Sequence, residues 1–144
     1  MENYQKPYLI SFDVRGDERG SLVAIENLKN IPFEIKRIYY IFDTKKKVRR
    51  GFHAHKILKQ VLICVSGSCQ ILLDDGKSKQ TIFLNTPQEG LYIEGLVWRE
   101  MFNFSIDCVL LVLADDVYNE TDYIRDYENF KENVRENDSN CWKK

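Results

Sequence analysis

Residues 60–73 read Gln60-Val-Leu-Ile-Cys-Val-Ser-Gly-Ser-Cys-Gln-Ile-Leu-Leu73, two apolar runs joined by a Ser-Gly turn. Apolar runs of this length with a tight polar turn between them are typical of a β-hairpin. Similar short runs rich in Val, Ile, Leu, Tyr and Phe recur along the chain with no helical pattern between them. The predicted strands are Ser21–Glu26, Ile35–Phe42, Gly51–His55, Gln60–Val65, Cys69–Leu73, Gln80–Leu84, Gly90–Ile93, Val97–Phe102 and Cys108–Ala114. Many short strands in succession favour an all-β sandwich or barrel over a parallel sheet.

The succession of short strand-like runs ends before residue 119. The run Asn119-Glu-Thr-Asp122 offers side-chain oxygens that can cap a helix, and apolar residues then recur at helical spacing. These residues are Ile124, Tyr127, Phe130 and Val134. We therefore predict one C-terminal α-helix packed on the outside of the barrel, with residues 1–144 forming a single domain.

The composition excludes several classes of function. The 144 residues carry 21 Lys and Arg against 22 Asp and Glu, a net charge of −1 that argues against bulk nucleic-acid binding. The longest apolar run, residues 108–114, is too short to cross a bilayer, which takes about 20 residues. The first residues do not resemble a signal peptide, so we predict a cytoplasmic protein with no membrane association. The four cysteines include no C-x-x-C pair, and those in the apolar runs are interpreted as buried, reduced thiols.

The chain has only two histidines, His53 and His55, and they are one residue apart. A site that needs three histidines from one subunit is therefore excluded. On a strand, residues i and i+2 point to the same face, so both imidazoles project into the same space. A lone histidine is more often a structural residue, but a pair flanked by Arg49 and Arg50 favours a functional site.

The run Gly51-Phe-His53-Ala-His55, followed by Gln60 and Gly67, resembles the first motif of the cupin superfamily. In metal-binding cupins the ligands are these two histidines, a glutamate four or five residues later, and a third histidine from a second motif. Here Lys59 or Gln60 stands at the glutamate position, and Arg99 stands where the third histidine is expected. Because an arginine stays protonated and such metal sites usually need at least three protein ligands, we predict no metal and no cofactor.

A closer resemblance covers most of the chain, from about Arg19 to Phe130, in collinear order. Over these residues the chain is similar to the dTDP-sugar 3,4-ketoisomerases, which are also called WxcM-like cupins. The matching runs are Arg19–Glu26, Ile31–Phe33, Ile35–Phe42, Arg50–Lys56, Gln60–Cys64, Gly90–Ile93, Val97–Met101 and Tyr118–Arg125. The resemblance implies a metal-free, cupin-type jelly-roll barrel that forms a homodimer. It also implies an isomerase that converts dTDP-4-keto-6-deoxyglucose to a dTDP-3-keto-6-deoxyhexose through an enediol. The product would enter 3-amino-3,6-dideoxyhexose synthesis for surface polysaccharides such as O-antigen or S-layer glycan.

The chemistry of that reaction suggests a role for each candidate residue. We predict His53 as the general base and His55 as its partner or proton shuttle, although one sequence leaves their order open. Tyr39 is the candidate proton donor to the enolate oxygen, because alternation places it on the same face as Arg37. The candidates for binding the diphosphate and stacking on thymine or the sugar are Arg19, Lys36, Arg37, Arg50, Arg99, Tyr92 and Trp98. The Arg19-Gly20 pair resembles the subtype that forms the galacto product.

Three alternatives are compatible with the same residues. One is a dTDP-sugar 3,5-epimerase-like cupin, which would return the proton to the carbon from which it came. Another is a non-catalytic cupin that binds a sugar nucleotide. The last is a metal-dependent cupin oxygenase.

Overall fold

A computed structural model describes residues 4–142, with side chains described as far as residue 138. Two five-stranded antiparallel sheets face each other, in the orders β1-β9-β6-β11-β4 and β12-β5-β10-β7-β8, and a two-stranded hairpin, β2-β3, stands beside them. The strands are β1 (Tyr8–Ser11), β2 (Arg15–Asp17), β3 (Gly20–Leu22), β4 (Arg37–Ile41), β5 (Arg50–His55), β6 (Gln60–Ser66), β7 (Cys69–Asp74), β8 (Lys79–Leu84), β9 (Glu89–Ile93), β10 (Trp98–Phe102), β11 (Val109–Ala114) and β12 (Tyr123–Ile124). One helix, α1 (Tyr127–Trp142), follows them.

The main core fills the space between the two sheets. It takes alternate residues of each strand, as the period of two in a strand requires. Leu62 and Leu110 enter it from the first sheet, and Ile71, Leu73 and Met101 enter it from the second. This packing confirms the predicted all-β barrel.

Two further apolar layers cover the outer faces of the sheets. The N-terminal segment packs Phe12, Ile31 and Phe33 on the outside of the first sheet. The helix packs Phe130 on the outside of the second sheet, against Ala54 and other buried residues. Within residues 4–142, no helix is both long and apolar enough to span a membrane.

The predicted helix start is wrong by three residues. Ile124 belongs to β12 and pairs with Ala54 at the edge of the second sheet, so its apolar side chain is buried by strand pairing. Asn119 caps a single 3-10 turn, residues 120–122, and its side chain accepts a hydrogen bond from the backbone N–H of Thr121. The helix begins only at Tyr127.

The N-terminal strand prediction also needs correction. Of the predicted strand Ser21–Glu26, only Ser21 and Leu22 lie in a strand, and that strand pairs with Arg15–Asp17 in the β2-β3 hairpin. A short strand at Tyr8–Ser11, which was not predicted, adds to the edge of the first sheet beside β9.

Candidate active site

A local irregularity in β5 directs the histidines into the barrel. Gly51 and Phe52 both have positive φ angles, 94° and 55°, and the pairing of β5 with β10 shifts register at this point. A Cβ on Gly51 would lie 2.9 Å from the carbonyl oxygen of Arg99, so only glycine fits here without displacement. Beyond the bulge, Ala54 faces the helix layer, and His53 and His55 face the interior.

The two imidazoles lie side by side, with ring centroids 5.0 Å apart and planes at 85°. His55 is completely buried, and its Nδ1 lies 3.0 Å from Oδ2 of Asp122. Because the carboxylate can only accept, Nδ1 carries the proton and Nε2 presents a lone pair. Nε2 is buried without a hydrogen-bond partner among the described residues. The geometry therefore leaves an unprotonated nitrogen with its lone pair available inside the barrel.

Both histidines are held in the neutral form. Burial, together with the neighbouring Arg99 cation, lowers the pKa of His53 to about 4. The same two causes, in the same order, lower the pKa of His55 to about 2. The Gly51 carbonyl accepts a hydrogen bond from the His53 ring, which opposes the decrease for that residue. Neutral imidazoles at pH 7 can accept protons.

Arg99 is a buried cation with neutral partners. It is 1% exposed and donates to Oε1 of Gln60 at 2.5 Å and to the carbonyl oxygen of Val97 at 2.9 Å. Burial lowers its pKa only to about 10, so the guanidinium stays charged at neutral pH. A buried cation whose described partners are all neutral is costly unless an anion approaches it.

Tyr39 belongs to the same network. Its hydroxyl oxygen accepts a hydrogen bond from Nε2 of Gln60 at 3.2 Å, and burial raises the pKa of the phenol. Tyr39 is therefore protonated at pH 7 and can donate. It also shares an inward face with Arg37, whose guanidinium lies 5.2 Å from the Tyr39 ring centroid, as the alternation of β4 predicts.

Lys36 and Arg37 line a cavity of about 220 Å³ together with His55, Asp122 and Tyr123. The Nε of Arg37 is buried and lacks a hydrogen-bond partner within the described residues. The cations of Lys36 and Arg37 thus face the same space as His55, and the carboxylates of Asp115, Asp116 and Asp122 line it as well. Of these groups, the two cations are the ones that can hold an anionic ligand.

Four predicted binding residues do not reach this cluster within the chain. Tyr92 lies on the outer face of the first sheet, where its hydroxyl donates to Glu94 and its ring packs on Tyr8. Trp98 faces the helix layer and donates to Glu100, because alternation turns it away from its neighbour Arg99. Within the described residues, neither aromatic ring lines the His55 cavity.

The other two residues are exposed arginines. Arg50 begins β5 on the outer side of the glycine bulge. Arg19 lies at the β2-β3 turn, where it forms an ion pair with Asp17 at 2.7 Å. Neither side chain joins the histidines in this chain.

Sequence reasoning missed two residues that the structure brings to the histidines. Asp122, interpreted above as part of a helix cap, contacts His55, and Tyr123 packs its ring 4.4 Å from the His55 ring centroid. They come from β12 and the turn before it, about 70 residues after the histidine motif. The sequence shows Asp122 directly before Tyr123 and Ile124, but its pairing with His55 depends on the strand register.

Comparison with known proteins decides the family. The family model described as "FdtA: WxcM-like, C-terminal" matches residues 5–135. The chain belongs to the WxcM-like family. A relative from Aneurinibacillus thermoaerophilus, named TDP-4-oxo-6-deoxy-alpha-D-glucose-3,4-oxoisomerase, is 60% identical over 88% of this chain and 91% of its own. The predicted family and the enzyme class, a sugar-nucleotide 3,4-ketoisomerase, are therefore confirmed.

Solved structures agree with this assignment. The crystal structure of a 3,4-ketoisomerase from Helicobacter canadensis is 56% identical and has a TM-score of 0.89, over 92% of this chain and 99% of its own. A mutant 3,4-ketoisomerase from Thermoanaerobacterium thermosaccharolyticum, solved in complex with TDP-4-keto-6-deoxyglucose, is 48% identical with a TM-score of 0.89, over 90% of this chain and 94% of its own. The cupin-type fold predicted from the His-x-His motif is thus confirmed for this WxcM-like chain.

Proposed function

We propose that this WxcM-like protein converts TDP-4-keto-6-deoxyglucose to a TDP-3-keto-6-deoxyhexose by proton transfer, with residues 1–144 acting as one domain. The observation that carries the proposal is the pair of neutral imidazoles beside the buried Arg99 cation. A base and a fixed positive charge are what an enediolate intermediate needs. The substrate follows the names and bound sugar nucleotide of the relatives.

The reaction requires two proton transfers on carbon. The C3 hydrogen is acidic because it lies next to the C4 ketone, so a base can remove it and leave an enediolate. A proton then enters at the C4 carbon and another at the C4 oxygen, which becomes a hydroxyl. The C3 hydroxyl loses its own proton and becomes the new ketone. The carbon skeleton keeps its oxidation level overall, because one carbonyl is formed while the other is lost.

His53 is the proposed base at C3, and His55 is its proton shuttle. His53 is the less buried of the two, whereas His55 is fixed by Asp122 with its Nε2 lone pair directed away from that carboxylate. A bound diphosphate would offset the positive charges that lower both histidine pKa values, and so would strengthen the bases once substrate is present.

Arg99 and Tyr39 are the proposed groups that stabilise the enediolate oxygens. Arg99 supplies charge from a dry position, where an electrostatic interaction is stronger than in water. Tyr39 stays protonated and can donate its hydroxyl proton, since Gln60 occupies only an acceptor position on its oxygen.

Lys36 and Arg37 are the proposed diphosphate ligands. They line the His55 cavity, and the Nε of Arg37 has no partner in the described part of the chain. A guanidinium can hold a phosphate through two parallel hydrogen bonds.

A homodimer is also proposed. The outer face of β4 leaves Ile38, Tyr40 and Phe42 between 58% and 61% exposed, an apolar stripe that a second copy would cover. In such a dimer, Arg19 and Arg50 would reach a substrate only through the partner or after movement of the chain. Light scattering tests the dimer, and a monomer at micromolar concentration would contradict it.

Several finer predictions remain to be tested. These are the galacto configuration at C4, the metal-free mechanism, the amino-sugar pathway and the cytoplasmic location. The Arg19-Gly20 pair still supports the galacto product through family resemblance only.

The test is incubation with TDP-4-keto-6-deoxyglucose in deuterated water, followed by NMR. We expect the ketone at C3 of the product. The coupling constants of the C4 proton, or the chemical shift of the deuterium at C4, then assign the configuration at C4. Deuterium at C5 with the ketone still at C4 would instead identify an epimerase. Binding without any change in the sugar would identify a non-catalytic receptor.

A further inference from the structure

Three cysteines meet at the end of the barrel opposite the histidines. Cys64 lies on β6, Cys69 begins β7, and Cys108 precedes β11. Cys64 is four residues along β6 from Gln60, which binds Arg99, so the two groups are separated by roughly 13 Å along the strand. The cysteines take no part in the proposed proton transfer.

The chain is built to bring these three residues together. Gly67, in the turn between β6 and β7, has φ of 67°, and a Cβ there would lie 2.9 Å from the Cα of Cys108. The adjoining loop is fixed by hydrogen bonds in both directions: Ser68 N–H donates to Ser105 Oγ at 2.8 Å, and Ser105 N–H donates to the Ser68 carbonyl at 2.9 Å. The absence of a side chain at Gly67 therefore lets Cys108 pack against the turn that carries the other two cysteines.

The spacing of two of the sulfur atoms matches that of thiolates bound to one metal ion, and the third sulfur is close to both. The Sγ atoms of Cys64 and Cys108 are 3.7 Å apart, and all three Sγ atoms lie within 4.8 Å of one another. Two sulfurs bound to one tetrahedral zinc ion at about 2.3 Å each are about 3.8 Å apart. The three side chains are between 0% and 2% exposed, so any ion between them is shielded from water.

The thiol of Cys64 is hydrogen-bonded at the edge of the cluster. It donates to the carbonyl oxygen of Ser66 at 3.1 Å, and its Sγ lies 3.7 Å from the Sγ of Cys108. A cation that prefers sulfur can replace thiol protons held in this way.

We propose that Cys64, Cys69 and Cys108 form a three-thiolate site for one soft cation, Zn²⁺ or Cu⁺, separate from the substrate site. These are the ions that thiolate ligands select. Each thiol gives up its proton on binding, so three S–H groups and one Zn²⁺ give a complex of charge −1 and three released protons. The bound ion would link the ends of β6, β7 and β11. The site would serve stability, because it lies at the far end of the barrel from the histidines.

The test uses the full chain carrying Cys141→Ser, which removes the one thiol outside the cluster. Cd²⁺ is added to the folded protein and, in a parallel sample, during refolding, and the ultraviolet thiolate-to-metal charge-transfer band is recorded. The band should saturate at one ion per chain. Competition with Zn²⁺ and with Cu⁺ then distinguishes the two ions. The ion that displaces Cd²⁺ at the lower concentration is the one that the site prefers.

Two further variants, Cys64→Ser and Cys108→Ser, are made in the same background. Each should weaken Cd²⁺ binding by more than the roughly 10–100-fold loss of affinity that is typical when a partner of a metal ligand is changed. Both should retain ketoisomerase activity. A missing band in both samples of the Cys141→Ser protein, or an unchanged band in the two further variants, would overturn the proposal.

If those variants do not fold, alkylation of the Cys141→Ser protein replaces them. Saturating Zn²⁺ or Cu⁺ should slow alkylation of all three cluster thiols, as located by peptide mass analysis. Equal alkylation with and without both ions would overturn the proposal.

Discussion

Replacing Asp122 with Asn tests how the proposed proton shuttle is held in its working form. Oδ1 of Asp122 accepts hydrogen bonds from the backbone N–H groups of Lys56 at 3.1 Å and Ile57 at 2.9 Å, and Oδ2 faces His55 Nδ1 at 3.0 Å. In Asp122→Asn, the amide oxygen would keep the two backbone bonds, so the amide NH₂ would face the imidazole. His55 must then accept at Nδ1 and carry its proton on Nε2, the nitrogen whose lone pair the proton shuttle needs.

The expected cost falls on turnover. Acid–base groups typically contribute on the order of 10²–10⁴ in rate, so kcat should fall by about that factor while KM changes little. Three hydrogen bonds to a carboxylate become hydrogen bonds to a neutral amide, so the free energy of unfolding should fall by about 1–3 kcal/mol. Asp122→Ala removes the acceptor of the buried His55 Nδ1–H and of the Ile57 N–H, whereas Lys56 N–H keeps the main-chain carbonyl of residue 122 at 3.0 Å. It should cost more stability, roughly 1–3 kcal/mol for the buried imidazole N–H alone.

The assay measures kcat and KM by NMR of the product, with urea unfolding of the same samples. Asp75→Asn is the matched control, since that carboxylate also accepts two backbone N–H groups, from Lys77 and Ser78 at 2.8 Å each, but has no imidazole partner in the described chain. Its kcat should stay within a few-fold of the wild type. An Asp122→Asn enzyme with kcat within threefold of the wild type would refute the role given to Asp122.

Three further predictions concern the remaining parts of the site. Arg99→Met should lower kcat by a factor on the order of 10²–10³, because the enediolate loses its fixed positive charge. The free energy of unfolding should stay equal or rise, because the substitution removes a buried charge. Kinetics and urea unfolding measure the two effects, and a large stability loss with normal kcat would contradict the prediction. The lowered pKa of His53, about 4, means that the unfolded state binds the proton first as pH falls below 6.5. This residue should therefore cost about 1–2 kcal/mol of stability between pH 7 and pH 5, a loss that urea unfolding of His53→Asn should lack. Gly51→Ala should destabilise the fold by roughly 1–3 kcal/mol and lower kcat. Gly20→Ala should cost less stability, since Gly20 is also at positive φ but has no atom within 4 Å of the added Cβ. Equal melting temperatures of the two variants would contradict the role given to the Gly51 bulge.

Local pattern accounts for the parts of the fold and site that could be predicted from the sequence. The alternation of β4 places Tyr39 with Arg37, and the His-x-His spacing places both imidazoles on one face. Each of these relations spans two residues on one strand, where the geometry is fixed.

The parts that could not be predicted depend on which strands meet. Asp122 reaches His55 because β12 pairs with β5, and no periodic signal marks a two-residue strand. Trp98 is an aromatic residue next to Arg99, but neighbours on a strand face opposite sides, so its ring packs in the helix layer. Ile124 fitted the helical spacing only because residues of a buried strand and a buried helix are equally apolar.

The central claim is that His53 removes the C3 proton. The most direct measurement uses TDP-4-keto-6-deoxyglucose labelled with deuterium at C3 and follows release of the label by NMR. The wild-type protein should lose the label at C3 as the ketone moves there, and His53→Asn should retain both the label and the C4 ketone with its fold intact. Release of the label by His53→Asn at the wild-type rate would contradict the account.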